Sequence, residues 1–248
     1  MAVMPIRIVN RMKKLLWGGF LVLTFIITLP ATWTLLSKAD FFYPTLYDTI
    51  HIDAHISRYA PKNINGYLGF EDTSKAERVA LFHGIVKAIN NHGVGLKKLF
   101  YTDKNNQLLP LLTLPEVIHL QDVANLLDKL KFFVVIFFLF WFFLVVFIKY
   151  KKVVFPSGKS LFASTIIIIL LVSMLLFLGP ERIFNQLHIW VFPDNHQWFF
   201  YYEESLMSTM MKAPDLFAYI AGIWGLLSIM LTVALIKLLK VFLSIREN

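Results

Sequence analysis

Residues 132–148, with the sequence FFVVIFFLFWFFLVVFI, contain no polar side chain at all. A helix needs roughly 20 apolar residues to cross the hydrocarbon core of a bilayer, which is about 30 Å thick. The run and its nearest neighbours reach that length. It therefore predicts a transmembrane helix at about 132–150, and this helix decides the fold class.

Three further runs of the same kind lie outward from this one, at about 15–37, 161–179 and 216–241. The first is longer than the apolar part of a signal peptide and has no convincing cleavage site after it, so we expect a retained helix. Hydrophobic residues make up 57% of the chain and charged residues only 16%, against roughly 25% in soluble domains. We predict a single all-α integral membrane domain over 1–248 with four transmembrane helices.

The placement of basic residues predicts the orientation of these helices. The segment before span one, the link between spans two and three, and the C-terminal end together carry eleven Lys or Arg residues and one acid. Basic residues in short loops favour the cytoplasmic side. We therefore expect both termini in the cytoplasm and expect segments 38–131 and 180–215 to be extracytoplasmic.

The long outer segment has the pattern of a partly helical structure. Ser74-Lys-Ala-Glu77 is a capping box, apolar residues follow it at helical spacing, and Asn90-Asn-His-Gly93 ends the predicted helix. Residues 102–106 read as a turn between two short apolar pieces, which is a possible hairpin. A second capping box, Thr113-Leu-Pro-Glu116, begins a helix that can continue into span two.

His119 lies on that second helix, with Asp122 three residues later and Glu116 three residues earlier. Residues at this spacing share one helical face. A carboxylate beside an imidazole fixes its tautomer and raises its basicity, as a general base needs near neutral pH. The simpler interpretation makes Glu116 only the capping partner and Asp122 a surface residue.

His188 comes just after span three, in a segment rich in aromatic side chains that runs through 184–202. One interpretation is an interfacial aromatic belt, in which His188 is a further amphipathic anchor. An ionisable group at membrane depth is also a functional candidate. The sequence leaves both interpretations open.

Other chemistries have weaker support. Cysteine is absent, which excludes thiolate nucleophiles, thioester intermediates and Cys-ligated metals. The chain has no nucleotide-binding loop and no serine-hydrolase elbow. Because the basic residues flank the apolar runs, nucleic-acid binding is not expected. A metal site remains an alternative, with candidate ligands His119, Asp122, His188 and His196.

The two histidine segments resemble a known family. Thr113-Leu-Pro-Glu-Val-Ile-His119-Leu-Gln-Asp122-Val is similar to its first segment, and Phe184, His188, Phe192-Pro193 and Trp198 follow in the order of its second. The family is the bacterial lipoprotein intramolecular transacylases. Leu120 stands where the family usually has Met, an Arg of the first segment is missing, and residues 51–110 show no resemblance.

The resemblance implies an enzyme of the bacterial cytoplasmic membrane with its active site at the outer face. Such an enzyme moves an acyl chain from the sn-2 ester of a lipoprotein's diacylglyceryl group to the N-terminal amine, without a cofactor or metal. It implies catalytic roles for His119, His188 and Asp122. Membrane lipid and the lipoprotein are the expected partners, and the expected substrate contacts are Glu116, Phe192, Trp198 and Tyr201.

Two alternatives come from other classes of protein. One is a non-catalytic membrane assembly or binding protein, whose folded outer segment docks a partner. The other is a metal-dependent membrane lipid hydrolase. The distance between the His119 and His188 rings bears most directly on the choice.

Overall fold

The structure is a computed structural model that describes residues 6–154, 166, 170 and 179–244. In these residues the chain is all-α apart from one small hairpin, as the sequence predicts. The helices are α1 Ile6–Lys38, α2 Tyr43–Thr49, α3 Ile52–Tyr59, α4 Lys75–Asn90, α5 Leu114–Tyr150, α6 Pro180–Val191, α7 Leu206–Met211 and α8 Asp215–Ser244. Short 3-10 turns occur at Asp40–Phe42, Ala60–Lys62, Phe70–Asp72 and Leu96–Lys98.

Three of the described helices are long and apolar enough to cross a membrane. These stretches are Leu15–Lys38, Leu114–Tyr150 and Asp215–Leu243. They contain the predicted spans at 15–37, 132–150 and 216–241. The predicted span at 161–179 lies almost wholly outside the described residues.

Helix α5 is longer than a membrane span requires. It has 37 residues, and a rise of 1.5 Å per residue makes it about 55 Å long, against about 30 Å of hydrocarbon. Its apolar run starts at Phe132, so the part that carries Glu116, His119 and Asp122 precedes the spanning segment. The predicted continuation of the capped helix into span two is confirmed.

The described residues form two compact units. Those within 1–33, 131–178 and 224–248 belong to the first unit, and those within 34–130 and 179–223 belong to the second. The first contains the apolar parts of α1, α5 and α8. The second contains the remaining elements and every residue of the candidate site.

The core of the first unit joins its helices by aromatic and aliphatic packing. Phe20 of α1 stacks on Trp141 of α5 with ring centroids 6.2 Å apart. The buried residues of this cluster are Trp17, Phe20, Leu23, Trp141, Val145, Ile148 and Leu239.

Hydroxyl groups connect α1 to α8 in the same unit. Thr28 and Thr32 are buried on one face of α1, and their hydroxyls lie 2.8 Å from that of Thr232 and 2.7 Å from that of Ser228, respectively. The hydrophobic effect does not drive apolar helices together in a bilayer, because lipid tails are as apolar as the side chains. Interhelical hydrogen bonds therefore add specificity to their association.

The second unit is held together by contacts between its two chain segments. The Tyr43 hydroxyl donates to the Met210 carbonyl at 2.8 Å, and Lys212 donates to the Ile50 carbonyl at 2.8 Å. The largest fully buried apolar or aromatic side chains of this unit are Tyr43, Tyr47, Tyr101, Phe70, Ile52, Ile56, Ile85, Leu96 and Leu111.

The local predictions for this unit hold at residue level. Ser74 caps α4 by accepting from the Glu77 amide at 3.1 Å, although the Glu77 carboxylate accepts from the Thr102 amide and not from Ser74. Helix α4 ends at Asn90, and Gly93 has a φ of 79° in the left-handed region. The predicted hairpin is present, with β1 Phe100–Thr102 antiparallel to β2 Leu108–Pro110.

A buried arginine, Arg78 of α4, organises this unit. Its side chain is 2% exposed. The guanidinium donates to Asp53 at 2.6 Å, to the Tyr47 hydroxyl at 2.5 Å and to the Thr73 hydroxyl at 2.9 Å. It also donates to the Glu71 carbonyl at 2.7 Å. A buried cation is tolerated because its N–H donors find acceptors.

Arg78→Met should destabilise the protein because it removes the donor to the buried Tyr47 and Thr73 hydroxyls and to the Glu71 carbonyl. Each unsatisfied buried group costs about 1–3 kcal/mol, so a total of about 3 kcal/mol corresponds to a fall in Tm of roughly 6–12 °C. A thermal melt in detergent followed by tryptophan fluorescence measures this change. Lys87→Met, an exposed site on the same helix, should shift Tm by less than about 2 °C. Equal shifts in the two variants would contradict the role of Arg78.

Candidate active site

His119 lies one helical turn after the capped start of α5. Glu116 accepts from the Thr113 amide at 2.5 Å and from its hydroxyl at 2.7 Å, which forms the predicted capping interaction. The same turn of helix brings His119 to the interior, where it is 8% exposed.

Glu116 also connects α5 to α7. Its side chain has no exposed surface, and its second carboxylate oxygen accepts a short hydrogen bond from the Ser205 hydroxyl. Ser205 is in turn the N-cap of α7, since it accepts from the Ser208 amide at 2.8 Å. Burial raises the pKa of the Glu116 carboxyl, while the hydrogen bonds from Ser205 and Thr113 oppose the rise.

His188 lies near the end of α6, a helix that begins at Pro180, where a proline is well tolerated. Its Nδ1–H donates to the Phe184 carbonyl one turn earlier, at 2.7 Å. A carbonyl can only accept, so Nδ1 carries the proton. The Nε2 atom of the neutral ring is therefore free to accept one.

The two imidazoles face each other. The ring centroids of His119 and His188 lie 5.8 Å apart, with 32° between their planes. Residues 192–200, here called the aromatic strap, contribute aromatic rings that contact both imidazoles. The Phe192 ring contacts both imidazoles, with ring centroids 4.9 Å from His119 and 5.1 Å from His188. The Trp198 ring centroid lies 5.0 Å from that of His188, and the Phe200 ring centroid lies 6.0 Å from that of His119.

Their burial keeps both histidines neutral. Burial, with a smaller contribution from the nearby His188, lowers the pKa of His119 to about 4, although the Asp122 carboxylate acts in the opposite direction. Burial also lowers the pKa of His188, against the effect of its hydrogen bond to Phe184. At neutral pH the site therefore contains two uncharged imidazoles, which can each accept or relay a proton in a largely apolar setting.

The Asp122 carboxylate has a different partner from the one that the sequence suggests. Its Oδ2 lies 2.6 Å from Nδ1 of His196, which belongs to the aromatic strap. Among the described residues, His119 has no hydrogen bond with Asp122 and receives only the electrostatic influence of that charge. Asp122 thus anchors the strap to α5, one turn after His119.

The structure therefore brings together most of the predicted site residues. His119, His188, Phe192 and Trp198 form one cluster, and Asp122 joins it through His196. Glu116 is buried beside the cluster, whereas Tyr201 is 62% exposed and makes an edge-to-face ring contact with Phe199. The substrate contacts expected of Glu116 and Tyr201 stay predictions.

Sequence reasoning overlooked several neighbours of the two histidines. Phe200, Ser205 and the anchoring role of His196 have no local signal, because each meets its partner across more than 70 residues of chain. The four candidate metal ligands His119, Asp122, His188 and His196 are all described. In the described ranges no three His, Asp or Glu side chains form a group that could hold a metal ion.

Comparison with known proteins gives a match at the level of structure. Neither a family model nor a curated protein matches the sequence. Solved structures of the membrane integral lipoprotein intramolecular transacylase Lit from Bacillus cereus do match. A variant with one histidine changed to alanine aligns with a TM-score of 0.61 and 16% identity, over 94% of this chain and 92% of that one.

The chain has the fold of this transacylase. A second Lit structure, with a histidine changed to arginine, gives a TM-score of 0.56, 18% identity and 94% coverage of both chains. A third gives 0.60 and 18% identity, over 93% of this chain and 95% of the other. The resemblance drawn from the two histidine segments is thus confirmed for the fold: this is a multi-pass, helical membrane protein with a Lit-like architecture.

The buried state of His119 predicts a dependence of stability on pH. Between pH 6.5, the ordinary pKa, and about 4, the pKa in the folded protein, the unfolded chain binds a proton at His119 that the folded protein does not. The free energy of unfolding therefore falls as pH is lowered through this interval, by up to about 3 kcal/mol from this residue alone.

His119→Gln should flatten this dependence. Melts of the wild type and the variant in detergent, at intervals between pH 4 and 7, measure the slope of Tm against pH. The slope is informative even if glutamine lowers Tm at every pH. His51→Asn, which replaces an exposed histidine of positive φ with another residue that tolerates this conformation, is the matched control. Identical slopes for His119→Gln and wild type would contradict the buried, neutral state.

Proposed function

We propose that this protein is an intramolecular O-to-N acyltransferase of bacterial lipoproteins. It moves the acyl chain on the sn-2 oxygen of the diacylglyceryl group to the N-terminal amine and leaves a lyso-form lipoprotein. The observation that carries the proposal is the pair of neutral imidazoles, His119 and His188, 5.8 Å apart in a chain with the Lit fold.

The reaction needs a proton acceptor, a donor for the oxyanion and close approach of the two reacting groups. Nε2 of His188 accepts the proton that the nitrogen loses as it attacks the ester carbonyl, and it returns the proton to the sn-2 oxygen as the C–O bond breaks. His119 donates an N–H to the carbonyl oxygen as charge develops there. The tautomer of His188 supports this assignment, which reverses the base role that the sequence suggests for His119.

The surroundings of the imidazoles suit acyl transfer to an amine. Phe192, Trp198 and Phe200 present aromatic walls that exclude water, so transfer to the amine is favoured over hydrolysis. Because the amine and the ester belong to the same substrate molecule, holding them together supplies much of the rate. We propose contacts of Phe192 and Trp198 with the lipid part of the substrate.

We further propose four membrane spans, with both termini in the cytoplasm and the two histidines on the outer side of the cytoplasmic membrane. The excess of Lys and Arg in the termini and in the link between spans two and three supports this orientation. Diacylglyceryl lipoproteins are anchored in the membrane by their lipid, so their amine and ester lie at the membrane surface.

Mass spectrometry separates this reaction from its alternatives. The purified protein in liposomes is incubated with a synthetic diacylglyceryl lipopeptide. Intramolecular transfer leaves the intact mass unchanged, blocks the N-terminal amine and moves one acyl chain to the N-terminal fragment in tandem spectra. A hydrolase would release a fatty acid and lower the mass. A lipopeptide that is unchanged in both mass and connectivity would contradict the proposal.

His119→Ala and His188→Ala should each reduce the initial rate of transfer by about 100-fold or more, as expected for loss of a group that moves or donates a proton in the transition state. Both variants must be present in the membrane at wild-type levels. His51→Asn should keep the wild-type rate. A non-catalytic binding protein predicts no difference among the three variants.

A further inference from the structure

The His196–Asp122 pair is not used in the reaction described above. His196 Nδ1 lies 2.6 Å from the Asp122 carboxylate, and the His196 side chain is 33% exposed. The Nδ1 atom donates to the carboxylate, so Nε2 is the atom left to exchange protons with a substrate. This is the arrangement by which an aspartate orients a histidine and stabilises its charged form in hydrolytic triads.

The first step of the proposed reaction lacks a suitable base in His119 and His188. An α-amino group has a pKa of about 7.7–8.0, so at neutral pH most of it is an ammonium ion without a free electron pair. Both imidazoles are kept neutral by burial, and His119 has a pKa of about 4. A proton on either ring would also place a cation beside the other ring, and among the described residues no carboxylate is hydrogen-bonded to either one.

We propose that His196, oriented by Asp122, is the base that removes the first proton from the substrate's ammonium group. This assignment rests on the proposed function. Nε2 of His196 takes the proton, the N–H bond breaks, and its electron pair stays on the nitrogen, which becomes the neutral nucleophile. The imidazolium then releases the proton to water. The second proton is lost later, through His188.

Two features of the fold place His196 for this step. Asp122 is one helical turn from His119 on α5, and Trp198, two residues beyond His196, contacts His188 with ring centroids 5.0 Å apart. His196 is therefore anchored on one side and followed on the other by residues that contact the imidazole pair. His196 is more exposed than His119, which is 8% exposed. A base that releases its proton to water needs this access to solvent.

A simpler role would be purely mechanical, with the pair acting only to fix the aromatic strap. Among the described residues, Asp122 is the charged group in contact with His196. A second pair of the same geometry occurs in this unit, between His92 Nδ1 and Asp128 at 2.6 Å. In the described part of the chain, His92 contacts neither His119 nor His188, so it provides a matched control.

The test is the pH dependence of transfer by His196→Gln in liposomes with the synthetic diacylglyceryl lipopeptide. Glutamine can still donate a hydrogen bond to Asp122 and hold the strap, but it cannot take a proton. We expect the initial rate to fall by about 100-fold at pH 6.5. The deficit should shrink to less than about threefold at pH 9.5, where the amine is already neutral. His92→Asn, which keeps a residue that tolerates the positive φ of this position, should match the wild type at every pH.

The outcomes separate this assignment from the proposed function. A deficit of equal size at both pH values, or none at pH 6.5, would overturn the assignment while an active wild type leaves the proposed function standing. Wild-type protein that transfers no acyl chain overturns both. Imidazole added to the buffer should partly restore His196→Gln at pH 6.5 and should not restore His188→Ala, whose ring lies in the enclosed cluster.

Discussion

The hydrocarbon of a membrane offers no hydrogen-bond partners, so a crossing chain must satisfy its own backbone as a helix. In this protein that constraint extends beyond the crossing itself. Helix α5 starts at Leu114, well before its apolar run, and continues without a break to Tyr150. Glu116, His119 and Asp122 lie on successive turns of its first part, and regular helical geometry fixes their mutual positions.

Each of these three side chains contacts a different part of residues 179–223. Glu116 binds Ser205 at the start of α7, His119 faces His188 on α6, and Asp122 binds His196 in the aromatic strap. A rigid helix thereby organises a segment that has little regular structure of its own between α6 and α7. Burial among these contacts lowers the pKa of both imidazoles and keeps them neutral.

Much of this arrangement follows from local sequence signals. Apolar length predicts the described spans, the Ser74 and Thr113 caps predict two helix starts, and the turn at 102–106 predicts the hairpin. These signals work because each depends on neighbours within a few residues. The two histidine segments also indicate the Lit fold, which the structural comparison confirms at a sequence identity of 16–18%.

The pairing of side chains across long stretches of chain does not follow from the sequence. Helical spacing puts Asp122 beside His119 and is correct about the shared face. Helical spacing cannot predict the contact with His196, which is 74 residues from Asp122 in the sequence. Because Asp122 is hydrogen-bonded to His196, its carboxylate orients that ring and not the His119 ring. The same limit applies to Glu116 and Ser205, which are separated by 89 residues. Such partners depend on the assembled tertiary structure.

The hydroxyl contacts between α1 and α8 have a consequence for biosynthesis. Thr28 and Thr232 are 204 residues apart, so α1 is synthesised well before α8 can make this contact with it. Hydroxyls on both helices also have acceptors on their own helix. Thr24 and Thr32 each donate to the carbonyl four residues earlier, as Ser228 and Thr232 also do on α8. These four hydroxyls have acceptors within their own helices, so their hydrogen bonding does not depend on the contact between α1 and α8.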